Sequence, residues 1–365
     1  MDDTELLIVG TLGGGGIHRY VEEQYDKLHT ELDAEVYDMY SDSTGQGVRW
    51  LLRSLLLSGW AALAFPFRSP PDVVHVHTSH GLSFYRAAVY ALFAAHVWRR
   101  PLVVHVHGSS FDEFVRTDSR AVRRLQRAVF DASDRIVVLS PYWKRVLSDR
   151  TAEEKIRVLP NAVEPERYDP SFDVSPPHVV FVSNMIERKG IRELTAAVDR
   201  VADRVETPVR VSIAGSGPLS HLPEDLAARR EGVEYLGYVS EAEKRELLGE
   251  ASIFALPTYA EGLPIAMLEG MAGGNAVVTT AVGSIPEVIG PENGLLVEPG
   301  DEEELADALE TLVRSPERVE SMARRNRTAA CETYSWRSVS GDLLDLYAEL
   351  TPRARSSRPS ANSAA

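Results

Sequence analysis

The 365-residue sequence predicts an α/β protein built from two doubly wound domains. Three observations predict it. Short apolar runs alternate with helix-like stretches through the first half, and the alternation starts afresh at Val179. Between the two series, four prolines (Pro165, Pro170, Pro176 and Pro177) fall close together. Buried strands alternating with amphipathic helices are what a parallel sheet covered on both faces requires. The length suits two medium domains, each able to bury its own core.

Taken in order, Leu6–Val9, Val73–Val76, Leu102–Val106 and Ile136–Leu139 read as buried parallel strands, with Ile156–Leu159 as one more short strand. Tyr20–Leu32, Phe84–Trp98 and Ser119–Ala132 carry helical periodicity between them. The proline cluster reads as a linker. The second series runs Val179–Val182, Val209–Ala214, Val233–Leu236, Ile253–Leu256 and Ala276–Thr279, and a last helix is expected at Trp336–Leu350. The tail, PRARSSRPSANSAA, is low-complexity and expected to be disordered.

Composition narrows the function. A formal charge of −15 argues against non-specific nucleic-acid binding, which needs a basic face. Of 39 basic residues only Lys27, Lys144, Lys155, Lys189 and Lys244 are lysine. An acidic, lysine-poor chain suggests a salt-adapted organism, although genome composition produces the same arginine bias. The single cysteine, Cys331, excludes an internal disulfide and fits a reducing compartment. MDDTELLIVG opens acidic and runs straight into a strand pattern, so no signal peptide is expected and a cytoplasmic location is. Trp50–Phe67 nearly reaches transmembrane length, but Arg53, Ser54, Ser58, Gly59 and Pro66 interrupt it. A buried or half-buried helix is the first expectation there, docking on a membrane surface the second and a true span the last.

The most telling segment is PTYAEGLPIAMLE, residues 257–269. Pro264 can open a helix, which leaves Glu261 in the preceding loop and Glu269 about two turns inside. Eight residues of helix rise about 12 Å, wider than the roughly 5–9.5 Å of paired glycosidase carboxylates. The strip between the two glutamates is the positive end of a helix, where phosphate is stabilised. Sugar, diphosphate and ribose in a row would fit that layout.

An apolar strand, Ile253–Pro257, precedes this segment and MAGGNAVVTTAVGSIPEVI follows it. In that setting the E-x7-E arrangement of EGLPIAMLE resembles the retaining family-4, group 1 glycosyltransferases. The resemblance covers about residues 5–350 and implies the GT-B fold, two Rossmann-like domains facing a central cleft. It implies an acceptor-binding domain at 1–172, a nucleotide-sugar-binding domain at 177–335, a helix at 336–350 crossing back to the first domain, and a tail at 351–365. It also implies that Glu261, with Gly262 and Leu263 beside it, contacts the donor sugar, and that Glu269 holds the ribose hydroxyls.

Other residues acquire roles in that frame. Arg188 and Lys189 are adjacent cations after a strand, followed by Gly190 and a helix, and can clamp a diphosphate. They would neutralise charge growing on the departing nucleotide. A solvated surface pair is the alternative, and the similarity of VSNMIERKG to the family context favours the clamp. Gly13 to Gly16 lack G-x-G-x-x-G spacing, but GGIHRY resembles the family's N-terminal loop over the donor phosphates, which implicates Gly15 and Gly16. Gly215-Ser216-Gly217-Pro218 resembles a GxGP turn near the nucleotide, and Gly237-Tyr238-Val239 the segment whose backbone reads the base. GSIPE and NGLLVEPG also follow the family wording. Glu287 is either donor-adjacent or a cap for the helix that Pro286 begins. Asn275 stands where the family has proline, a departure expected to touch only the turn into the next strand.

His107, in LVVHVHGSSF, ends a strand, and strand C-termini of open α/β sheets face the ligand crevice. The family places a histidine here near the reacting sugar. His105 competes for the role, as do His75 and His77 one strand earlier. Four such histidines raise a metal reading. No Asp or Cys cluster joins them, and the resemblance implies transferases that work without a bound metal, so none is expected.

The expected function is transfer of a hexosyl group from a nucleotide-diphosphate sugar to a hydroxyl, with retention of anomeric configuration. The acceptor would be a glycan or a polyprenyl-lipid-linked glycan, with peripheral contact at the inner face of the cell membrane. A sugar-nucleotide epimerase would need an acid–base set around the sugar, which these motifs do not assemble. A catalytically silent sugar-nucleotide sensor, or a partner subunit of a glycosylation complex, is the other alternative. The intact Arg188, Lys189, Glu261 and Glu269 speak against it.

Overall fold

In the computed structural model, residues 4–13, 16–40 and 48–351 are described. They fall into two compact units, Met1–Pro160 with Arg337–Ala365, and Asn161–Trp336. The boundary lies before the expected residue 172, because the chain from Asn161 onward is bonded into the second unit. Asn161 Nδ2 donates to Leu263 O, and Val163 N to Tyr334 O. Arg327 donates to Pro165 O, and Ser171 N to Gly249 O.

The first unit contains β1 (Glu5–Gly10), α1 (Gly16–Leu28), β2 (Asp33–Asp38), α2 (Val48–Ala64), β3 (Val73–Thr78) and α3 (Leu82–Phe93). It continues with β4 (Leu102–Val106), α4 (Phe111–Val115), α5 (Arg120–Ala132), β5 (Arg135–Val138), α6 (Pro141–Ser148) and β6 (Ile156–Val158). All six strands pair in parallel, in the order β2-β1-β3-β4-β5-β6. β3 and β4 are buried at every position, which is why both read as nearly continuous apolar runs, interrupted by histidines and, at the end of β3, by Thr78. The expected helix Phe84–Trp98 is α3 followed by a π turn at Ala94–Trp98.

The second unit contains β7 (His178–Val182), α7 (Ile191–Arg204), β8 (Arg210–Ala214), α8 (His221–Arg229), β9 (Val233–Gly237) and α9 (Glu241–Glu250). β10 (Ile253–Leu256), α10 (Ile265–Ala272), β11 (Ala276–Thr280), β12 (Gly294–Val297), α11 (Glu302–Val313) and α12 (Pro316–Glu332) complete it. Its order, β12-β11-β10-β7-β8-β9, is all parallel and reverses direction between β7 and β10. In open α/β sheets, ligands bind outside the carboxyl ends of the strands at such a switch point. Local signals fix the helix starts. Ser240 and Glu243 form a capping box on α9, and Asp301 caps α11 through Glu303 N and Glu304 N.

α13 (Trp336–Leu350) follows the second unit and contributes Tyr347 to the buried interior of the first, where it bonds Gln24 and His75. Residues beyond 351, for which disorder was expected, lie outside the described residues.

Candidate functional site

The loops leaving β7 and β10 meet at the switch point of the second unit. β7 ends at Val182, and a short 3-10 turn, Glu187–Lys189, carries the two expected cations. Gly190 follows with φ +71°, and a Cβ on it would lie 1.8 Å from Pro257 O. Only glycine allows the two loops so close together. The backbone stitches them further, with Tyr259 N donating to Arg188 O at 2.8 Å.

Glu261 is buried at the centre of this junction. Lys189 Nζ donates to Glu261 Oε1, and Arg188 Nη1 lies 3.5 Å from the same oxygen while donating to Ala260 O at 2.7 Å. Thr258 Oγ1 stands 3.2 Å from Glu261 Oε1 and 3.0 Å from Arg188 O. The Lys189 side chain is 13% exposed and that of Arg188 40%, so Arg188 is the cation turned more to solvent. Gly262 and Leu263 are buried; Ser284 N donates to Gly262 O at 3.2 Å.

Glu269 is the fifth residue of α10, and Pro264 is the N-cap of that helix. Residues 261–264 are not helical. The 12 Å rise expected for eight helical residues therefore does not apply, because only part of the interval is helix. Glu269 is buried, and its Oε1 accepts from Lys244 Nζ of α9 at 2.8 Å. Lys244 is itself buried and also reaches Glu241 Oε2 at 2.8 Å. Sequence reasoning missed Lys244 and Thr258. Lys244 is one of only five lysines in the chain, a scarcity that could have drawn attention to it.

The glycine turns assemble on the same carboxyl edge. Gly215 has φ +131° and a Cβ there would sit 1.8 Å from Ser183 O. Met185 N donates to Ser216 O, and Gly215 N to Gly237 O. Gly215 and Gly217 are thereby brought against the loop after β7, while Tyr238, next to Gly237, is 81% exposed. Glu287 lies in a 3-10 turn, Ile285–Glu287, with Pro286 at its start. Asn275 does more than shape a turn. It is fully buried, and its Nδ2 donates to Leu248 O and Ala251 O, tying α9 to the start of β11.

In the first unit, His107 lies one residue past β4, half-buried, with its Nε2 2.9 Å from His77 Nδ1. The His105 and His107 ring centres are 4.0 Å apart. His75, His77 and His105 are fully buried. Burial, with the nearby His107 second, pushes His75 down to about 3. Burial likewise holds His77 and His105 well below the usual histidine range, so all three are neutral at pH 7. Of the glycine-rich loop, Gly15 lies outside the described residues. Gly16 opens α1, and a Cβ there would meet nothing within 4 Å. No crowding demands glycine at that position.

α2 and the turn after it expose a stripe of large apolar side chains. Leu52, Leu56, Trp60, Leu63 and Phe67 face solvent while Ala61 and Phe65 are buried. The helix is half-buried, and no helix among the described residues is long and apolar enough to cross a membrane.

The two sheets and their carboxyl-edge loops define a two-domain, Rossmann-like GT-B protein. Sucrose-phosphate synthase from Thermosynechococcus elongatus superposes with a TM-score of 0.77 over 95% of this chain and 99% of that one, at 18% identity. Anabaena HepE in complex with UDP and glucose superposes with a TM-score of 0.72 over 95% and 100%, at 17% identity. Residues 15–167 match the family model "Glycosyltransferase Family 4", and residues 176–315 match "Glycosyl transferases group 1". The chain belongs to the group 1, family 4 glycosyltransferases. The MMP α-(1→4)-mannosyltransferase of Mycolicibacterium hassiacum is 28% identical over 268 residues, which is 71% of this chain. The match spans 62% of that relative's own length, less than two thirds.

Proposed function

We propose that the chain is a retaining glycosyltransferase moving a hexosyl group from a nucleotide-diphosphate sugar to an acceptor hydroxyl. One observation carries this reading: the switch-point loops bring a buried carboxylate, Glu261, against two cations, with Glu269 held by Lys244 a few residues on. A sensor would not need a carboxylate gripped beside a phosphate clamp. The mannosyltransferase relative supports a hexose as the group transferred.

In this reading the second unit holds the donor. Arg188 and Lys189 take the diphosphate, aided by the amino end of α10, and draw the electron pair of the breaking sugar–oxygen bond onto the leaving phosphate. Glu261, with Gly262 and Leu263 beside it, orients the sugar hydroxyls, and Glu269 holds the ribose diol. Gly215, Gly217 and Tyr238 border the nucleotide. The acceptor oxygen bonds to the anomeric carbon on the face the phosphate leaves, and its proton passes to the departing phosphate oxygen. From the first unit the reading takes His107 for the sugar and the Gly15–Gly16 loop for the phosphates. The donor chemistry calls on no metal, because two fixed cations supply the compensating charge.

The test is a thermal-shift panel of UDP-, GDP-, ADP- and TDP-sugars in molar KCl, on wild type and Glu269→Ala. Ligand that binds only the native state raises Tm. One nucleotide series should stabilise wild type and not the variant; no shift in either protein sinks the reading.

The exposed stripe on α2 supports a lipid-linked acceptor reached at a membrane face. Five large apolar side chains at helical spacing are costly to leave in water and match an interfacial helix. Wild type should co-sediment with anionic vesicles, and Leu56→Glu with Trp60→Glu should abolish this without lowering Tm. Equal sedimentation of both proteins ends the membrane proposal.

A further inference from the structure

The histidine cluster enters the transferase reading only through His107. His75 and His77 are two residues apart on β3, so their rings leave the strand on one face. His105 lies on β4 directly across from His77 in the parallel register. One ligand atom from each of the three lies within 4.8 Å of the others. The His75 and His77 rings are stacked, with centres 4.5 Å apart, and His105 tilts against both at 5.3 and 5.1 Å. The Tyr20 ring of α1 stands edge-on to His105 at 5.2 Å.

The hydrogen bonds divide the nitrogens into held and available. His75 Nδ1 is 2.6 Å from Tyr347 Oη, which also accepts from Gln24 Nε2 at 2.8 Å. His77 Nδ1 is engaged by His107 Nε2. The Nε2 atoms of His75 and His77, and both nitrogens of His105, have no hydrogen-bond partner among the described residues. Buried polar atoms in native proteins are nearly always paired, and an unaccounted ion is one recognised cause of exceptions.

We propose that His75, His77 and His105 form a binding site for one divalent transition-metal ion of the zinc or cobalt kind. An H-x-H pair on one strand and a histidine facing it from the next present three imidazoles to one side, leaving a fourth position for water, as in three-histidine zinc sites. The donor set is all nitrogen, which suits zinc, cobalt, nickel or copper and not magnesium or calcium. Bound histidines keep the other ring nitrogen in a hydrogen bond. Tyr347 supplies that bond for His75 and His107 supplies it for His77. The rings are buried in the neutral form that ligates metal. Tetrahedral ligation at about 2.0–2.1 Å puts nitrogens about 3.3 Å apart, so the rings close in by small rotations. His107, half-buried, is the most solvent-accessible of the four rings and marks the entry side. The site departs from the metal-free expectation, and it does not rest on the transferase reading.

The experiment strips the full chain with a chelator, adds Zn²⁺ or Co²⁺, and removes unbound metal by gel filtration. Wild type should retain one ion per chain, and the cobalt form should show the intense visible bands of tetrahedral coordination. His75→Gln combined with His105→Asn should lose both while keeping the far-UV circular dichroism of wild type. If that variant does not fold, X-ray absorption of zinc-loaded wild type decides, with three imidazole ligands expected. Failure of wild type to retain stoichiometric metal overturns the proposal. So does unchanged retention in the folded variant, which would place the ion on surface histidines, or a zinc shell with fewer than three imidazoles.

Discussion

Lys244→Met removes the ammonium that faces Glu269 between α9 and α10. Both side chains are buried, and Nζ to Oε1 is 2.8 Å. At an effective dielectric constant of about 20, unit charges at that separation attract by about 6 kcal/mol. Desolvation of the two groups offsets part of this, and breaking a buried pair by deleting one partner costs about 3–5 kcal/mol. The second contact, to the exposed Glu241, is an i,i+3 surface pair worth well under about 1 kcal/mol. The variant should therefore lose about 3–5 kcal/mol of stability. Glu269→Gln in the same background should recover much of it, since no buried carboxylate then lacks its cation. Urea unfolding of wild type, both single variants and the double variant gives the coupling energy as a double-mutant cycle. A coupling below about 1 kcal/mol would refute the reasoning, because the pair would then behave like one in water. Nucleotide binding by the same four proteins adds a second readout. Lys244→Met should weaken it by loosening the carboxylate.

Three other outcomes are expected. Gly190→Ala forces φ +71° on a residue with a Cβ 1.8 Å from Pro257 O; it should separate the two loops, cost more than about 1–3 kcal/mol and abolish donor-induced thermal shifts, while an unaffected Tm would contradict the packing described. Asn275→Pro restores the family residue but removes two buried side-chain hydrogen bonds and the bond from Asn275 N to Gly270 O; a loss of about 1–3 kcal/mol by urea unfolding is expected, and a neutral change would show that the turn alone matters. Burial, with Arg210 second, lowers the His178 pKa in the fold, so as pH falls below about 6.5 the unfolded chain takes up the proton first and stability is lost. His75, His77 and His105, also lowered by burial, add to the same slope, so His178→Gln should make it shallower without abolishing it in melts between pH 7 and 5, and an identical slope in both proteins would remove His178 as a contributor.

The central strands were legible because burial on both faces leaves no polar alternation to disguise them, as in HVVFV and IFAL. Two of the edge strands were not. β2 is DAEVYD with exposed and half-buried positions, and β12 has only four residues, with Leu295 and Leu296 half-buried. β2 carries Asp, Glu and Asp among its six residues and so loses the apolar signal, whereas the edge strands β6 and β9 keep short runs that the sequence showed. Lys189 was legible because it stands in a motif beside a glycine. Lys244 was not, because its role depends on α9 packing beside α10. The histidines of β3 and β4 were visible as residues, but their common face depends on the register of His77 against His105.

What positions Arg188, Lys189 and Glu261 is strand order, which a pattern of apolar runs does not contain. Arg188 and Glu261 are 73 residues apart in the chain. They meet because β10 pairs with β7, on the side away from β8 and β9. In a simple meander β10 would follow β9, and β8 and β9 would separate the two loops. The reversal places the cations and the carboxylate over adjacent strand ends, and two short connections then complete the arrangement. Gly190 lets one loop lie against Pro257, and Pro264 starts α10 soon after Glu261 and fixes where Glu269 emerges. Each motif is a local solution to a contact that the reversed order creates. The same residue types on a chain with the meander order would fold into strands and helices just as readily and hold no carboxylate beside a cation pair.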